Sequence, residues 1–129
     1  MRVFTTKHGL PQNTIQAMAF DERGYLWVGT QDGAARYNGR AWLTVPMPNR
    51  NQSNFVGAIC ASADGGMWFG TNGGGVCRLR NGQWTVYDAD SGALPNDQVR
   101  CMLEATGRDG EPVLLVGTRG GLARFTGGR

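Results

Sequence analysis

The stretch YLWVGT, residues 25–30, decides the fold because shortened copies of it follow twice along the chain. MWFGT occupies residues 67–71 and LLVGT residues 114–118, so their Gly-Thr pairs stand 41 and 47 residues apart. An apolar strand pattern precedes each copy, and a glycine-bearing turn and a short strand follow it. A repeat of about 40 residues built from four hairpin-linked strands is typical of a β-propeller blade. We therefore predict an all-β propeller with three four-stranded blades.

Turn residues divide each repeat into strands. DERG (residues 21–24) and ADGG (residues 63–66) separate the first strand from the second. Asn-Gly pairs at residues 38–39 and 81–82 separate the third strand from the fourth, and Asn-Gly between apolar residues is a strong hairpin signal. Helical periodicity is absent from the sequence, so every element is predicted to be a strand.

The two ends of the chain predict a permuted blade. An outer-strand pattern comes before Leu94-Pro95, and residues 3–6 come before Leu10-Pro11 in the same way, so they read as an outer strand. The last repeat, in contrast, stops after its third strand, over residues 122–128. The prediction is a single domain over residues 1–129 with twelve strands, in which residues 1–8 complete the last blade. The predicted repeats cover about residues 9–48, 49–92 and 93–129.

Three blades do not close a ring, since known rings have about four to eight. Both outer faces and one edge strand would lack a neighbour. We predict a homodimer that forms a six-bladed ring, in which the first strand of each chain completes the last blade of the other. Two alternatives stay open: a trimer, and an excised piece of a longer propeller.

The composition excludes several classes of protein. The chain has 129 residues, of which 40% are hydrophobic and 18% charged, as in globular proteins. It has neither an apolar leader nor a run of about 18 apolar residues, so we expect no export signal and no membrane insertion. The net charge of +3 is spread over interleaved acidic and basic residues, which disfavours a nucleic-acid partner.

The three cysteines, Cys60, Cys77 and Cys101, match neither a zinc spacing nor a disulfide framework. Each lies in an apolar strand pattern, where a free thiol behaves as a small buried hydrophobic group. We expect buried free thiols, no metal and no cofactor.

The motif run GLPQNTIQAMAFDERGYLWVGTQDGAARYNG, residues 9–39, resembles the two-component regulator propeller repeat. The likeness is good again over residues 54–79 and weaker in the third repeat, where Leu115 replaces the usual Trp and GRDGEPV lengthens the first hairpin. The resemblance implies a β-propeller of the kind that forms the extracytoplasmic sensing part of bacterial hybrid histidine kinases. Members of this family usually carry seven or more blades in one chain.

Recurring residues are interpreted as structural. Trp27 and Trp68 occupy one strand position, which favours core packing, and the outer-strand Trp42 and Trp84 are treated in the same way, with sugar stacking as the alternative. The arginines at positions 36, 78 and 124 repeat in register and indicate a recurring salt bridge or carbonyl contact. The threonines at positions 30, 71 and 118 are expected to bond to nearby backbone.

Ligand contacts are expected where the repeats differ on one rim. In a propeller, the loop before each inner strand and the turn between second and third strands share a face. The candidate ligand-binding residues on these loops are His8, Gln12, Asn13, Gln31, Asp32, Asn54, Asn72, Asp97 and Arg119. Their amide-rich, mixed-charge character suits hydrogen bonding to a polar small molecule or glycan.

Catalytic signals are poor. His8 is the only histidine, no G-x-S-x-G motif occurs, and the glycine-rich residues 70–75 lack the lysine and helix of a phosphate loop. No catalytic residue is assigned, and the prediction is a non-enzymatic recognition or sensing module. A streptogramin-lyase-like or polysaccharide-lyase-like enzyme, and a scaffold for protein partners, are the alternatives.

Overall fold

The computed structural model describes residues 1–49 and 51–126. Within them the chain forms eleven strands and one short 3-10 turn at Thr6–His8. The strands are β1 (Ile15–Phe20), β2 (Leu26–Thr30), β3 (Gly33–Tyr37), β4 (Trp42–Val45), β5 (Val56–Ala61), β6 (Met67–Thr71), β7 (Val76–Arg80), β8 (Gln83–Tyr87), β9 (Val99–Thr106), β10 (Pro112–Thr118) and β11 (Gly121–Thr126).

The strands form three antiparallel sheets that follow one another along the chain. Blade 1 is β1-β2-β3-β4, blade 2 is β5-β6-β7-β8, and blade 3 is β9-β10-β11. The inner strands β1, β5 and β9 adjoin in that order, so blade 2 lies between the other two. The predicted all-β architecture of consecutive hairpin-linked sheets is confirmed.

Two apolar clusters hold the blades together. Between blades 1 and 2, Trp27 and Ala34 pack against Met67, Phe69 and the fully buried Met47. Between blades 2 and 3, the corresponding cluster contains Trp68 and Val76 from one sheet and Leu114, Val116 and Phe125 from the other. The core therefore lies between sheets, as the recurring tryptophans predict.

The strand predicted over residues 3–6, which would pair with a second chain, does not form in the single chain. Residues 1–5 form no strand and pair with none in the structure, and the third sheet ends at β11. A strand needs a neighbour to accept its backbone hydrogen bonds, and in the single chain this segment lies against blade 1, away from the edge of blade 3. Gly127 and Gly128, predicted to end the third strand, lie outside the described residues.

One of the two predicted Asn-Gly turns differs. Asn81 and Gly82 both adopt positive φ angles, 53° and 76°, and close the tight β7–β8 hairpin as predicted. The first pair instead begins a four-residue loop, in which the Asn38 side chain accepts hydrogen bonds from the backbone of Arg40 and Ala41. The loop is wider because the Asn38 side chain accepts hydrogen bonds from backbone N–H groups further along the same loop.

The repeated threonines behave as predicted. The hydroxyls of Thr30, Thr71 and Thr118 each donate to the carbonyl of a glycine that follows the turn, at 2.7–2.8 Å. Each also accepts a backbone N–H from the turn itself. The Gly-Thr signature thus closes the turn between second and third strands in all three blades.

The repeated arginines do not form a recurring salt bridge. Both ion pairs of the described residues involve Asp64, which Arg78 and Arg80 contact. What recurs in blades 1 and 2 is stacking, since the guanidinium of Arg36 lies 5.8 Å from the Trp27 ring and that of Arg78 lies 5.1 Å from the Trp68 ring. The face of an indole ring attracts a cation, so the pair needs no carboxylate.

One cysteine departs from the expectation of burial. All three thiols are free, and Cys77 is buried and Cys60 partly buried. Cys101 is exposed, because it lies on the outer face of blade 3, where no further blade covers it.

Candidate functional site

The inner strands share an irregularity that turns one side chain away from the sheet. At this irregularity, one residue of each inner strand has no directly paired residue in the neighbouring strand. These residues are Gln16 in β1, Gly57 in β5 and Arg100 in β9. A bulge of this kind re-aims the side chain that it carries. The three residues occupy one repeat position and differ in chemistry.

These three positions line a common cavity at the inner strands. The cavity has a volume of about 180 Å³ and is lined by Gln16, Phe55, Gly57, Asn72, Val99 and Arg100. Its polar lining consists of two amides and one guanidinium, and Phe55 and Val99 supply apolar contact. Because Gly57 has no side chain, the middle of this inner surface stays open.

Three of the predicted site residues accept hydrogen bonds from the backbone of the loop that precedes their inner strand. The side-chain oxygen of Asn13 accepts the backbone N–H of Thr6 at 2.8 Å, and that of Asn54 accepts the N–H of Met47 at 2.9 Å. The Asp97 carboxylate accepts the N–H of Ala89 at 2.7 Å. The same repeat position therefore ties the segment before each inner strand to the start of that strand.

Two further candidates make local hydrogen bonds on the loop before β1. The His8 imidazole Nδ1 accepts the backbone N–H of Thr5 at 3.0 Å and so closes the 3-10 turn. The Gln12 side-chain oxygen accepts the N–H of Thr14 at 2.6 Å. Both side chains shape the loop on which they lie.

The candidates on the turns between second and third strands lie beside these loops. Asp32 accepts from the Asn54 amide at 3.0 Å, and the Arg119 guanidinium donates to the Gln98 side chain at 3.0 Å. Gln31 is exposed. Of the nine predicted residues, only Asn72 also lines the cavity at the inner strands.

Sequence reasoning missed Gln16 and Arg100. Both lie in segments recognised as inner strands, where strict alternation would give them no special direction. The available signal was the contrast of Gln, Gly and Arg at one repeat position, because a purely structural position would keep one residue type, as the Gly-Thr positions do. The bulge that turns these residues inward shows itself only in the strand pairing.

A second cleft, of about 260 Å³, lies at the opposite end of the strands, between blades 2 and 3. The charged residues that line it are Asp64, Arg78, Arg80, Glu104 and Glu111. Burial raises the pKa of the Asp64 carboxyl, but the Gly66 N–H, the Ser62 hydroxyl and both guanidinium groups outweigh it and bring that pKa below its ordinary value. The carboxylate is therefore held ionised, as an ion-pair partner for the arginines.

Residues 1–49 and 51–126 hold no group of three or more His, Cys, Asp or Glu side chains that could bind a metal ion. They include no helix with the length and apolar character needed to cross a bilayer.

The sequence matches the family model described as two component regulator propeller, over residues 9–32 and 52–73. Two segments of the chain, one in blade 1 and one in blade 2, thus match the two-component regulator propeller repeat. In both matched repeats the model spans the loop before the inner strand, the inner strand and the Gly-Thr turn, which are the elements around the cavity. A comparison with curated proteins found no match.

One solved structure shows a similar fold, and two others match this chain with lower scores. PorZ, an essential bacterial surface component of the type-IX secretion system of Porphyromonas gingivalis, superposes with a TM-score of 0.68 at 20% identity over 90% of this chain. Two extracellular domains from B. thetaiotaomicron, of BT4673 and BT3049, give TM-scores of 0.47 and 0.43 at 17% and 18% identity, over 95% and 96% of this chain. The chain covers only 18%, 22% and 26% of these three structures.

Proposed function

We propose that the chain is a non-enzymatic recognition module that binds a polar small molecule or glycan at the inner-strand cavity and the adjoining rim. The observation that carries this proposal is the set of bulge positions, which bring Gln16 and Arg100 to one cavity with Asn72. These side chains donate hydrogen bonds, so a ligand rich in acceptor oxygens fits them. Arg100 forms neither of the two ion pairs in residues 1–49 and 51–126, so its charge remains available to a ligand.

The functional form that we propose is a six-bladed ring of two chains. The cavity of about 180 Å³ is smaller than the roughly 300–1,000 Å³ typical of ligand pockets. A second copy would add its own inner strands and so a second set of the same side chains. A solution mass of about twice 13.9 kDa supports the ring. A monodisperse folded monomer, or a trimer, contradicts it.

The site is tested by a glycan array followed by calorimetry on the best ligand. Arg100→Ala is expected to weaken binding about tenfold or more, since a lost hydrogen bond to a charged group is worth about 1.5–3 kcal/mol. Gln16→Ala is expected to weaken it about two- to tenfold, since a neutral hydrogen bond is worth about 0.5–1.5 kcal/mol. Arg108→Ala, on an exposed loop of blade 3, is the matched control and should bind normally. Ligands that bind all three variants equally would place recognition elsewhere.

We propose no catalytic step. The His8 imidazole closes its own turn, and the cavity residues include no acid, base or nucleophile pair. Lyase-like turnover that disappears in His8→Ala while the fold is retained would contradict this assignment. An array without any hits, together with capture of a protein partner, would favour the scaffold function.

We propose an extracytoplasmic location, in keeping with the family resemblance. The test is protease accessibility of the tagged chain in intact bacterial cells. Protection of the tag until the inner membrane is broken would contradict it.

A further inference from the structure

The chain forms the same kind of interface twice, between blades 1 and 2 and between blades 2 and 3. The open face of blade 1 and the open face of blade 3 are the two halves of a third such interface. Val56 and Val99 occupy one repeat position and are 0% and 3% exposed, because each packs on a glycine of the preceding blade, Gly29 or Gly70. Ile15 occupies the same position in blade 1 and is 40% exposed. At the other end, Gly117 meets no residue of a following blade. Ile15 and Gly117 are thus the unmatched halves of the same contact.

The exposed apolar residues are concentrated on these two faces. Met18 and Phe20 of blade 1 are 66% and 64% exposed, although Ile59 and Ala61 at the same repeat positions pack against the apolar cluster between blades 1 and 2. On blade 3, Leu122 is 70% exposed, whereas Ala34 and Val76 at its position are fully buried. At these repeat positions the apolar side chains are buried or partly buried where the neighbouring blade is present.

The first residues of the chain already lie where an outer strand of a preceding blade would lie. In blade 2, Tyr87 ends the outer strand and contacts Phe125 of blade 3 with ring centroids 5.2 Å apart. Phe4 contacts Tyr37, the equivalent of Phe125 in blade 1, at 5.1 Å. Phe4 therefore stands beside blade 1 as Tyr87 stands beside blade 3, although residues 1–5 form no strand.

The missing ladder partner for these residues is the free edge of β11. In blade 2, the outer strand pairs with the third strand so that Tyr87 opposes Val76 and Val86 opposes Cys77. Carried to blade 3, this register sets Phe4 opposite Leu122 and Val3 opposite Ala123. The segment before β1 would continue the match, since Gly33 and Gly75 donate to the carbonyls of Asn54 and Asp97, the equivalents of Asn13.

We propose that residues 1–4 of one copy form the fourth strand on β11 of a second copy, with Ile15 seated on the partner's Gly117. Two such seams, related by a two-fold axis, close the ring. The proposal rests on the ring put forward above and names its contacts, register and exchanged segment. The two open faces are complementary, because one presents Ile15 and residues 1–4 and the other presents Gly117 and the edge of β11. The occupant of both faces is therefore a second copy of this chain.

The register is tested by disulfide formation between two different variants in a Cys101→Ala background. One chain carries Val3→Cys and the other Ala123→Cys, and they are mixed, refolded together and mildly oxidised. Cross-strand Cα distances of about 4.5–5.5 Å lie within the range that a disulfide bridges. We expect a linked species of twice the chain mass on a non-reducing gel, several times more abundant than in a mixture of Val3→Cys with Ser91→Cys. Equal yields from both mixtures would overturn the proposed register.

A charge placed at the seam provides a second measurement that does not depend on the engineered cysteines. Ile15→Asp should convert the dimer to a folded monomer, since its side chain is already partly exposed in the single chain. Leu43→Asp is the control, because Leu43 is 54% exposed and lies outside both open faces. A dimer that survives Ile15→Asp overturns the seam.

The outcome for the seam is separate from the outcome for ligand recognition. Linked dimers whose Arg100→Ala variant binds ligand like the parent would refute the site and leave the seam intact. Specific linkage that fails in a protein with Arg100-dependent binding would refute the seam alone.

Discussion

Val56 packs directly on the α-carbon of Gly29, so that a β-carbon added at Gly29 would lie 2.6 Å from the Val56 carbonyl oxygen and 2.8 Å from its Cγ1. Gly70 has the same relationship to Val99, whose Cγ1 would lie 2.6 Å from the added atom. The glycine of each Gly-Thr pair is therefore the surface on which the next inner strand lies. This contact explains why the signature is repeated.

Replacing either glycine should destabilise the protein. Gly29→Ala and Gly70→Ala force a methyl group into backbone and side-chain atoms, and we expect each to lower the free energy of unfolding by about 1–3 kcal/mol in urea titrations. Gly57→Ala is the control, since its β-carbon would meet only Phe55 at an ordinary 3.6 Å. A Gly29→Ala protein as stable as Gly57→Ala would refute the explanation.

The two tryptophans of the blade interfaces should respond differently to loss of a neighbouring polar side chain. The Trp27 indole N–H donates to the Asp21 carboxylate at 2.9 Å, whereas Ser62 replaces Asp21 in blade 2 and the buried Trp68 N–H has no hydrogen-bond partner in the described part of the chain. Asp21→Ala should cost about 1–3 kcal/mol, because the buried indole N–H loses its acceptor and the backbone N–H groups of Arg23 and Tyr25 lose theirs. Ser62→Ala should cost clearly less in the same thermal and urea unfolding experiments, and equal costs would contradict this difference.

The Asp64 ion pairs should contribute stability only above acid pH. Because the pKa of Asp64 is lowered from 3.8 in the folded protein, its contribution is present above that pH and is lost as the pH falls through the lower folded value. Asp64→Asn should therefore cost about 0.2–1 kcal/mol at pH 6, as for surface pairs, and the difference from the parent should shrink below pH 3. Urea unfolding at both pH values measures this, with Asp90→Asn as an exposed control. A difference that grows on acidification would contradict the sign.

The cysteines should differ in reactivity. Burial raises the pKa of the Cys77 thiol to about 12, so almost none of it is ionised at pH 8. A colourimetric thiol reagent should therefore modify Cys77 only on unfolding, whereas Cys101 should react at once in dilute monomers. Cys77→Ala and Cys101→Ala identify the two phases. Rapid reaction in a Cys101→Ala, Cys60→Ala protein would contradict the burial of Cys77.

The sequence predicted the repeat architecture well because its causes are local. Each Gly-Thr turn, each alternating strand and the Asn81-Gly82 hairpin depends on residues close together in the chain. The candidate site was harder to predict. The amides and acid at positions 13, 54 and 97 are hydrophilic loop residues by sequence, but their partners are backbone groups that only the folded loop brings near. In the same way, the direction of the Gln16 and Arg100 side chains depends on the position of the β-bulge in each inner strand.

The order of strands, the three-sheet stack and the tryptophan core follow from the sequence alone, because spacing and alternation decide which residues face which side of a sheet. Tertiary structure decided what no spacing reveals: that Gln16, Asn72 and Arg100 share one cavity, that Arg36 and Arg78 stack on indoles, and that residues 1–5 remain without a strand partner. Each arginine stacks on its cross-strand partner within one sheet. The cavity instead takes its residues from all three blades, so their relative positions are set by packing between blades, which is a property of the assembled surfaces.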